Sequence, residues 1–137
     1  MVTGPAPEMF NLAKLMVSRS YSPYSHYATG AVLRGGNGEL YGGCNVENAA
    51  YPQGACAEAS AISVMVAAGE TRITEILVLG SGPEIITPCG GCRQRLREFA
   101  ADDTPVHLCD PSGVRRTMTF GELYPLSFGP AHLATKA

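Results

Sequence analysis

Two separated cysteine groups constrain this chain more than any other feature: Cys56-Ala57-Glu58, and, after one strand-length segment, Pro88-Cys89-Gly90-Gly91-Cys92. If the three thiols act together, the fold must bring the starts of two different segments to one point. Three thiolates can hold a zinc ion and leave its fourth position open to water. A glutamate that is not itself a ligand can then move protons beside it. The spacing agrees: Cys89-x-x-Cys92 places two thiols within one helical turn, and Cys56 opens a second helix. Helix starts carry unpaired N–H groups and positive partial charge, which favour thiolate over thiol. We therefore expect one Zn2+ per chain on Cys56, Cys89 and Cys92, with Glu58 as the catalytic proton carrier.

Two plainer uses of these residues compete. A lone C-x-x-C can be a redox pair, although such pairs do not come with a distant C-x-E. A closed structural zinc needs a fourth ligand, for which Cys44 and Cys109 are candidates, but both stand in apolar strand contexts where cysteine packs as a small hydrophobe. Glu58 could be a surface glutamate favoured by the helix dipole, yet its helix is otherwise nearly free of charge. His26, His107 and His132 are not placed to complete a zinc site, and none is assigned to the metal.

Periodicity supplies the frame. Glu8–Ser20 carries Met9, Leu12, Leu15, Met16 and Val17 at helical spacing. Thr29–Arg34 and Leu40–Val46 read as a hairpin around Gly35-Gly36-Asn37-Gly38. Cys56–Ala68 reads as a buried helix closed by Gly69. Glu75–Gly80 is a continuous apolar run suited to a central strand, followed by a helix over about Cys89–Ala101. Pro105–Cys109 and Val114–Phe120 are further strands, and Gly121–Tyr124 is one helical turn. The order predicts an α/β fold of three layers, with one mixed β-sheet and helices on both faces. At 137 residues the chain is expected to be a single domain over 1–137.

Composition narrows the class. Five cysteines, an odd number, argue against a disulfide framework and for a reducing, cytoplasmic setting. The opening Met1-Val2-Thr3-Gly4-Pro5-Ala6-Pro7 lacks the basic and apolar regions of a signal peptide. No apolar run approaches the roughly 20 residues of a membrane span. The formal net charge is -2, and the Lys and Arg residues are scattered outside the Arg93–Arg97 cluster and Arg115-Arg116. Without a basic stripe, a nucleic-acid polymer is not the expected partner, and a small free molecule is.

With these residues in view, the sequence resembles the small homotetrameric, zinc-dependent cytidine deaminases. The resemblance runs from about Ser22 to Leu133. It is carried by Ser22-Pro-Tyr-Ser-His-Tyr-Ala-Thr-Gly-Ala-Val-Leu33, Gly43-Cys-Asn-Val-Glu-Asn-Ala-Ala-Tyr51, Cys56-Ala-Glu58 and Pro88-Cys-Gly-Gly-Cys-Arg-Gln94. It implies the cytidine-deaminase-like fold and hydrolysis of cytidine and 2′-deoxycytidine to uridine and 2′-deoxyuridine with release of ammonia, a pyrimidine-salvage reaction. Zinc-activated hydroxide attacks C4 while Glu58 shuttles protons. The resemblance also implies substrate roles. Asn45 and Glu47 hold the ribose 3′-hydroxyl, Tyr27 packs against the pyrimidine, and the Ala57 N–H binds the base carbonyl. Ala49, Tyr51 and Phe128 serve a neighbouring subunit's pocket in a homotetramer with shared sites. From the residues alone, Asn45 could equally cap a turn and Tyr27 could be core.

One position departs from the family pattern. Many relatives carry Arg directly after the catalytic Glu, hydrogen-bonded to the zinc thiolates, and this chain has Ala59. Three thiolates and a hydroxide outnumber zinc's two charges, so compensation is expected from elsewhere. Arg93, beside Cys92, and the two helix N-termini are the candidates. An exposed helix-start arginine is the plainer reading of Arg93. Functional alternatives are a deaminase for another aminonucleoside of the blasticidin type, or a structural-zinc interaction module.

Overall fold

A computed structural model describes residues 4–133. Its frame is a five-stranded sheet in the order β2-β1-β3-β4-β5. The strands are β1 (Thr29–Gly35), β2 (Leu40–Cys44), β3 (Ile73–Gly80), β4 (Pro105–Asp110) and β5 (Gly113–Thr119). Only β3 and β4 run parallel; the other neighbours are antiparallel. The parallel pair needs a crossover, which α3 (Gly90–Arg97) provides. α1 (Pro7–Arg19) and α2 (Ala57–Ala67) precede β1 and β3. Two single-turn helices, α4 (Phe120–Leu123) and α5 (Pro130–Leu133), follow β5.

Strand alternation sorts the core onto two faces. Val32, Leu77, Leu79 and Cys109 pack under Met9 and Ala13 of α1. Ala31, Leu33, Ile76, Val78, Val106 and Leu108 pack under Ala57, Ala61 and Met65 of α2 and Leu96 of α3. β3 is buried on both faces, as its unbroken apolar run requires. The expected α/β mixed sheet with helices on both faces is the one observed.

Two glycines set how close the helices lie. A Cβ on Gly30 would stand 2.6 Å from Ala13 O of α1. On the other face, a Cβ on Gly43 would stand 2.6 Å from Ala57 O and nearer still to Ala61 N. Any larger residue at 43 would lift the start of α2, which carries Glu58.

β3 starts two residues before the sequence reading, at Ile73, and two elements end earlier than it placed them. β2 stops at Cys44, because Val46 pairs instead with Tyr21 and Ala55. α3 stops at Arg97 rather than near Ala101, because Phe99 O accepts from Ile73 N and Ala100 bridges Ile73. Among the described residues no helix is long and apolar enough to cross a membrane.

Candidate active site

Cys56 and Cys89 occupy the same position in two helices, the N-cap of α2 and of α3. Their carbonyls accept the first intrahelical bonds, from Ser60 N and Arg93 N. Cys92, fully buried, sits one turn inside α3. The sulfurs of Cys56, Cys89 and Cys92 all lie within 4.8 Å of one another. Among the described residues this is the only such group of potential ligands. Cys44 and Cys109 are not part of it: Cys44 ends β2, and Cys109 is buried beneath α1. The three-thiol expectation therefore matches the geometry, and neither candidate fourth thiol joins it. No histidine joins it either.

The donor set suits a divalent, thiophilic cation. Backbone N–H groups of Cys92 and Gly91 help hold the Cys89 thiol below its ordinary pKa. Burial pushes Cys56 and Cys92 up, and so does the like charge of neighbouring thiolates and of Glu58. Mutual repulsion among four acidic groups is relieved by a cation between the thiols. Glu58, second residue of α2, is only 5% exposed. Burial raises its carboxyl above the usual range, opposed by its own N–H, the Cys92 thiol and Arg95. Ala57, the first residue of α2, is buried, and its N–H is one of the donors a helix start leaves unpaired.

A short bridge brings a second set of residues alongside. Val46 and Ala55 exchange two backbone bonds of 2.9 Å, so Asn45 and Glu47, on either side of Val46, lie opposite the residue that precedes Cys56. Glu47 is tightly oriented: Oε1 accepts from Tyr24 N (2.9 Å) and Ser25 N (3.1 Å), and Oε2 from Ser25 Oγ. These bonds hold its carboxyl below the usual range. Glu47 lines a cavity of about 320 Å³ with Tyr24, Ser25, Asn48, Tyr51 and Gly54. Asn45 is a brace as well as a candidate contact. Its Oδ1 accepts from Thr29 N (2.9 Å) and Ser20 Oγ, and its Nδ2 donates to Tyr27 O (2.9 Å). One Nδ2 hydrogen is left over.

The Tyr27 ring packs on Gly82, two residues past β3, where a Cβ would meet it at 2.8 Å. Its hydroxyl is buried with no hydrogen-bond partner among the described residues. Ala49 is exposed. Tyr51 is 75% exposed, with Tyr24 edge-on at 6.0 Å. Phe128, in the C-terminal segment, is stacked on His132 at 5.2 Å, and its carbonyl accepts from Gln94 of α3 (3.0 Å). His26 adopts a positive φ of 58° at the tight loop before Tyr27.

Arg93 requires a correction. Its guanidinium donates to Pro88 O (2.9 Å), Leu123 O (2.6 Å) and Thr87 Oγ1 (2.9 Å), none of them a thiol. The arginine at the thiols is Arg95, whose Nη1 lies 4.0 Å from Cys92 Sγ. The signal was present in the spacing: residues i and i+3 share a helix face, whereas adjacent residues do not. Sequence reasoning also passed over Tyr24 and Ser25, whose N–H groups orient Glu47.

Comparison with known proteins agrees with this geometry. The family described as cytidine and deoxycytidylate deaminase zinc-binding region matches residues 6–108. A cytidine deaminase of Sporosarcina psychrophila is 34% identical over 119 residues, covering 87% of this chain and 88% of the relative. The crystal structure of cytidine deaminase from Burkholderia pseudomallei superposes with a TM-score of 0.83 at 35% identity, covering 90% of this chain and 99% of that one. That of the cytidine deaminase from Mycobacterium tuberculosis gives 0.76 at 30% identity, covering 89% and 95%.

Proposed function

The chain belongs to the cytidine and deoxycytidylate deaminase zinc-binding family, and on that premise we propose that it hydrolyses cytidine and 2′-deoxycytidine to the corresponding uridines, releasing ammonia, in pyrimidine salvage. One observation carries the reading: Cys56, Cys89 and Cys92 converge with a buried glutamate two residues from the first of them. When bound at the three thiols, zinc supplies Lewis acidity and a water acidic enough to ionise near neutral pH.

The remaining work falls to the chain. Glu58 takes one proton from the attacking water and gives it to the pyrimidine ring nitrogen next to C4, then takes the second from the new C4 hydroxyl and hands it to the departing amine. Water adds at C4, the C–N bond breaks, and ammonia leaves, so one carboxyl acts as acid and base in turn. Burial suits it to both roles by keeping bulk water from competing. The Ala57 N–H is free to bind the base carbonyl. Glu47, held by Tyr24 and Ser25, accepts from the ribose 3′-hydroxyl, and the spare hydrogen of Asn45 donates to it. Tyr27 packs against the base edge.

We read residues 1–137 as one domain, supported by the single sheet and its two core clusters. The exposed Tyr51 and Phe128, with Ala49 between the sugar block and Tyr51, support a homotetramer in which each copy completes a neighbour's pocket. Five free cysteines support a reducing cytoplasm.

The test is turnover of cytidine, 2′-deoxycytidine and free cytosine by zinc-loaded wild type and Glu58→Gln. The expected result is conversion of both nucleosides, little of cytosine, and a loss of about 10²–10⁴-fold in Glu58→Gln with zinc retained. Ammonia released only from another aminonucleoside would reassign the substrate, and equal rates in the two proteins would remove Glu58 from the mechanism.

A further inference from the structure

Helix α3 carries three arginines in alternate positions, and their side chains have different fates. Arg93 is tied to three oxygens. Arg97 donates to Ser127 Oγ (2.7 Å), pairs with Asp102 (2.7 Å), and lies over the Phe120 ring at 4.6 Å. Both serve the attachment of the C-terminal segment. Arg95 does neither. Among the described residues it forms no ion pair, and its one hydrogen-bond contact is Cys92 Sγ, 4.0 Å from Nη1. Its guanidinium crosses the first turn of α3, with Nη1 3.0 Å from where a Cβ on Gly91 would stand. That turn contains two of the three thiols.

Position 59 adds a second, independent observation. Ala59 on α2 and Arg95 on α3 line the same groove, together with Ile62, Gln94 and Glu98. Ala59 directly follows Glu58 and brings no charge to a site whose three thiolates and one carboxylate exceed the charge of a divalent ion. Glu98 lines the groove without pairing with Arg95. The arginine therefore reaches the thiols along its own helix, on the side of α3 that shares a groove with Ala59.

We propose that Arg95 is the charge-compensating residue of this metal site, acting through Cys92 from α3 in the space that a long side chain at position 59 would otherwise fill. The inference rests on the zinc-ligand reading above. It makes Arg95 a positioning residue that acts on metal affinity through a ligand and does not touch the nucleoside.

The experiment measures zinc affinity by chelator competition on the folded protein. The proteins are wild type, Arg95→Gln, Arg95→Lys and the double variant Arg95→Gln/Ala59→Arg. The cobalt-substituted forms report the sulfur-to-metal charge-transfer band. We expect Arg95→Gln to bind zinc about 10-fold more weakly or worse, the range typical of lost partners to metal ligands, and to shift the band. Arg95→Lys should recover part of the loss, and Ala59→Arg most of it. Wild-type affinity and an unshifted band in Arg95→Gln would overturn the assignment. So would a loss that neither the lysine nor the arginine at 59 recovers, because that pattern marks packing. A wild-type chain holding no zinc would remove the premise, and the inference with it.

Discussion

The two faces of the sheet are built from the same strands and end in different chemistry. Under α1, the polar side chains between the strands are paired with one another. His107, fully buried on β4, donates from Nε2 to Glu75 Oε2 (2.7 Å), and its Nδ1 lies 2.9 Å from Thr117 Oγ1. Glu75 also accepts from Arg34 (3.2 Å), closing a ladder across four strands. Cys109, on this face, is pushed up to about 12 by burial and by Asp110, which makes it an inert core residue. Under α2 and α3, by contrast, the helices begin at the edge of the core and leave donors, thiols and a carboxyl unspent. The same residue type is packing on one face and ligand on the other, and the position of a helix start decides which.

The comparison breaks most visibly at the cysteines. Cys89→Ala should abolish zinc binding and lower turnover by more than about 10³-fold, read by metal analysis and initial rates. Cys109→Ala should cost about 1 kcal/mol of stability in denaturant unfolding and leave zinc content and kcat near wild type. If Cys109→Ala lost the metal, the separation of the two faces would be wrong.

The paired glycines sharpen it. Gly43→Ala and Gly30→Ala each force a Cβ against helix backbone, and each should cost about 1–3 kcal/mol. Only Gly43→Ala shifts the start of α2, so it should also reduce kcat, by up to about 10²-fold for a displacement near 1 Å. Equal kcat in the two stably folded variants would show that α2 is not positioned through this contact.

The smallest effect concerns Tyr27, whose buried hydroxyl has no partner among the described residues. Tyr27→Phe removes an unsatisfied group and should raise stability by up to about 1 kcal/mol, with cytidine KM little changed. A marked rise in KM alone would give that hydroxyl a role in substrate binding.

Much of this was legible in the sequence for physical reasons. The strands announced themselves by apolar runs, and α1 by its periodicity. The zinc triad followed from thiol spacing at two helix starts. What the sequence hid depends on side-chain reach and long-range pairing. Nothing local to Phe99 and Ala100 signals that they will pair with Ile73 and end α3. Asn45 reads as a substrate contact, while its bonds to Thr29, Ser20 and Tyr27 are visible only once those loops meet. Adjacency to Cys92 favoured Arg93 on paper, whereas helical geometry turns Arg95 toward the thiols.

The central claim is that the α2–α3 face holds zinc with three cysteines and keeps a coordination position for chemistry. The X-ray absorption spectrum of the zinc-loaded protein tests it most directly. Three sulfur neighbours and one light-atom neighbour that changes when a nucleoside analogue binds are the expected result. Four sulfur neighbours, indifferent to the analogue, would contradict it and make the metal structural.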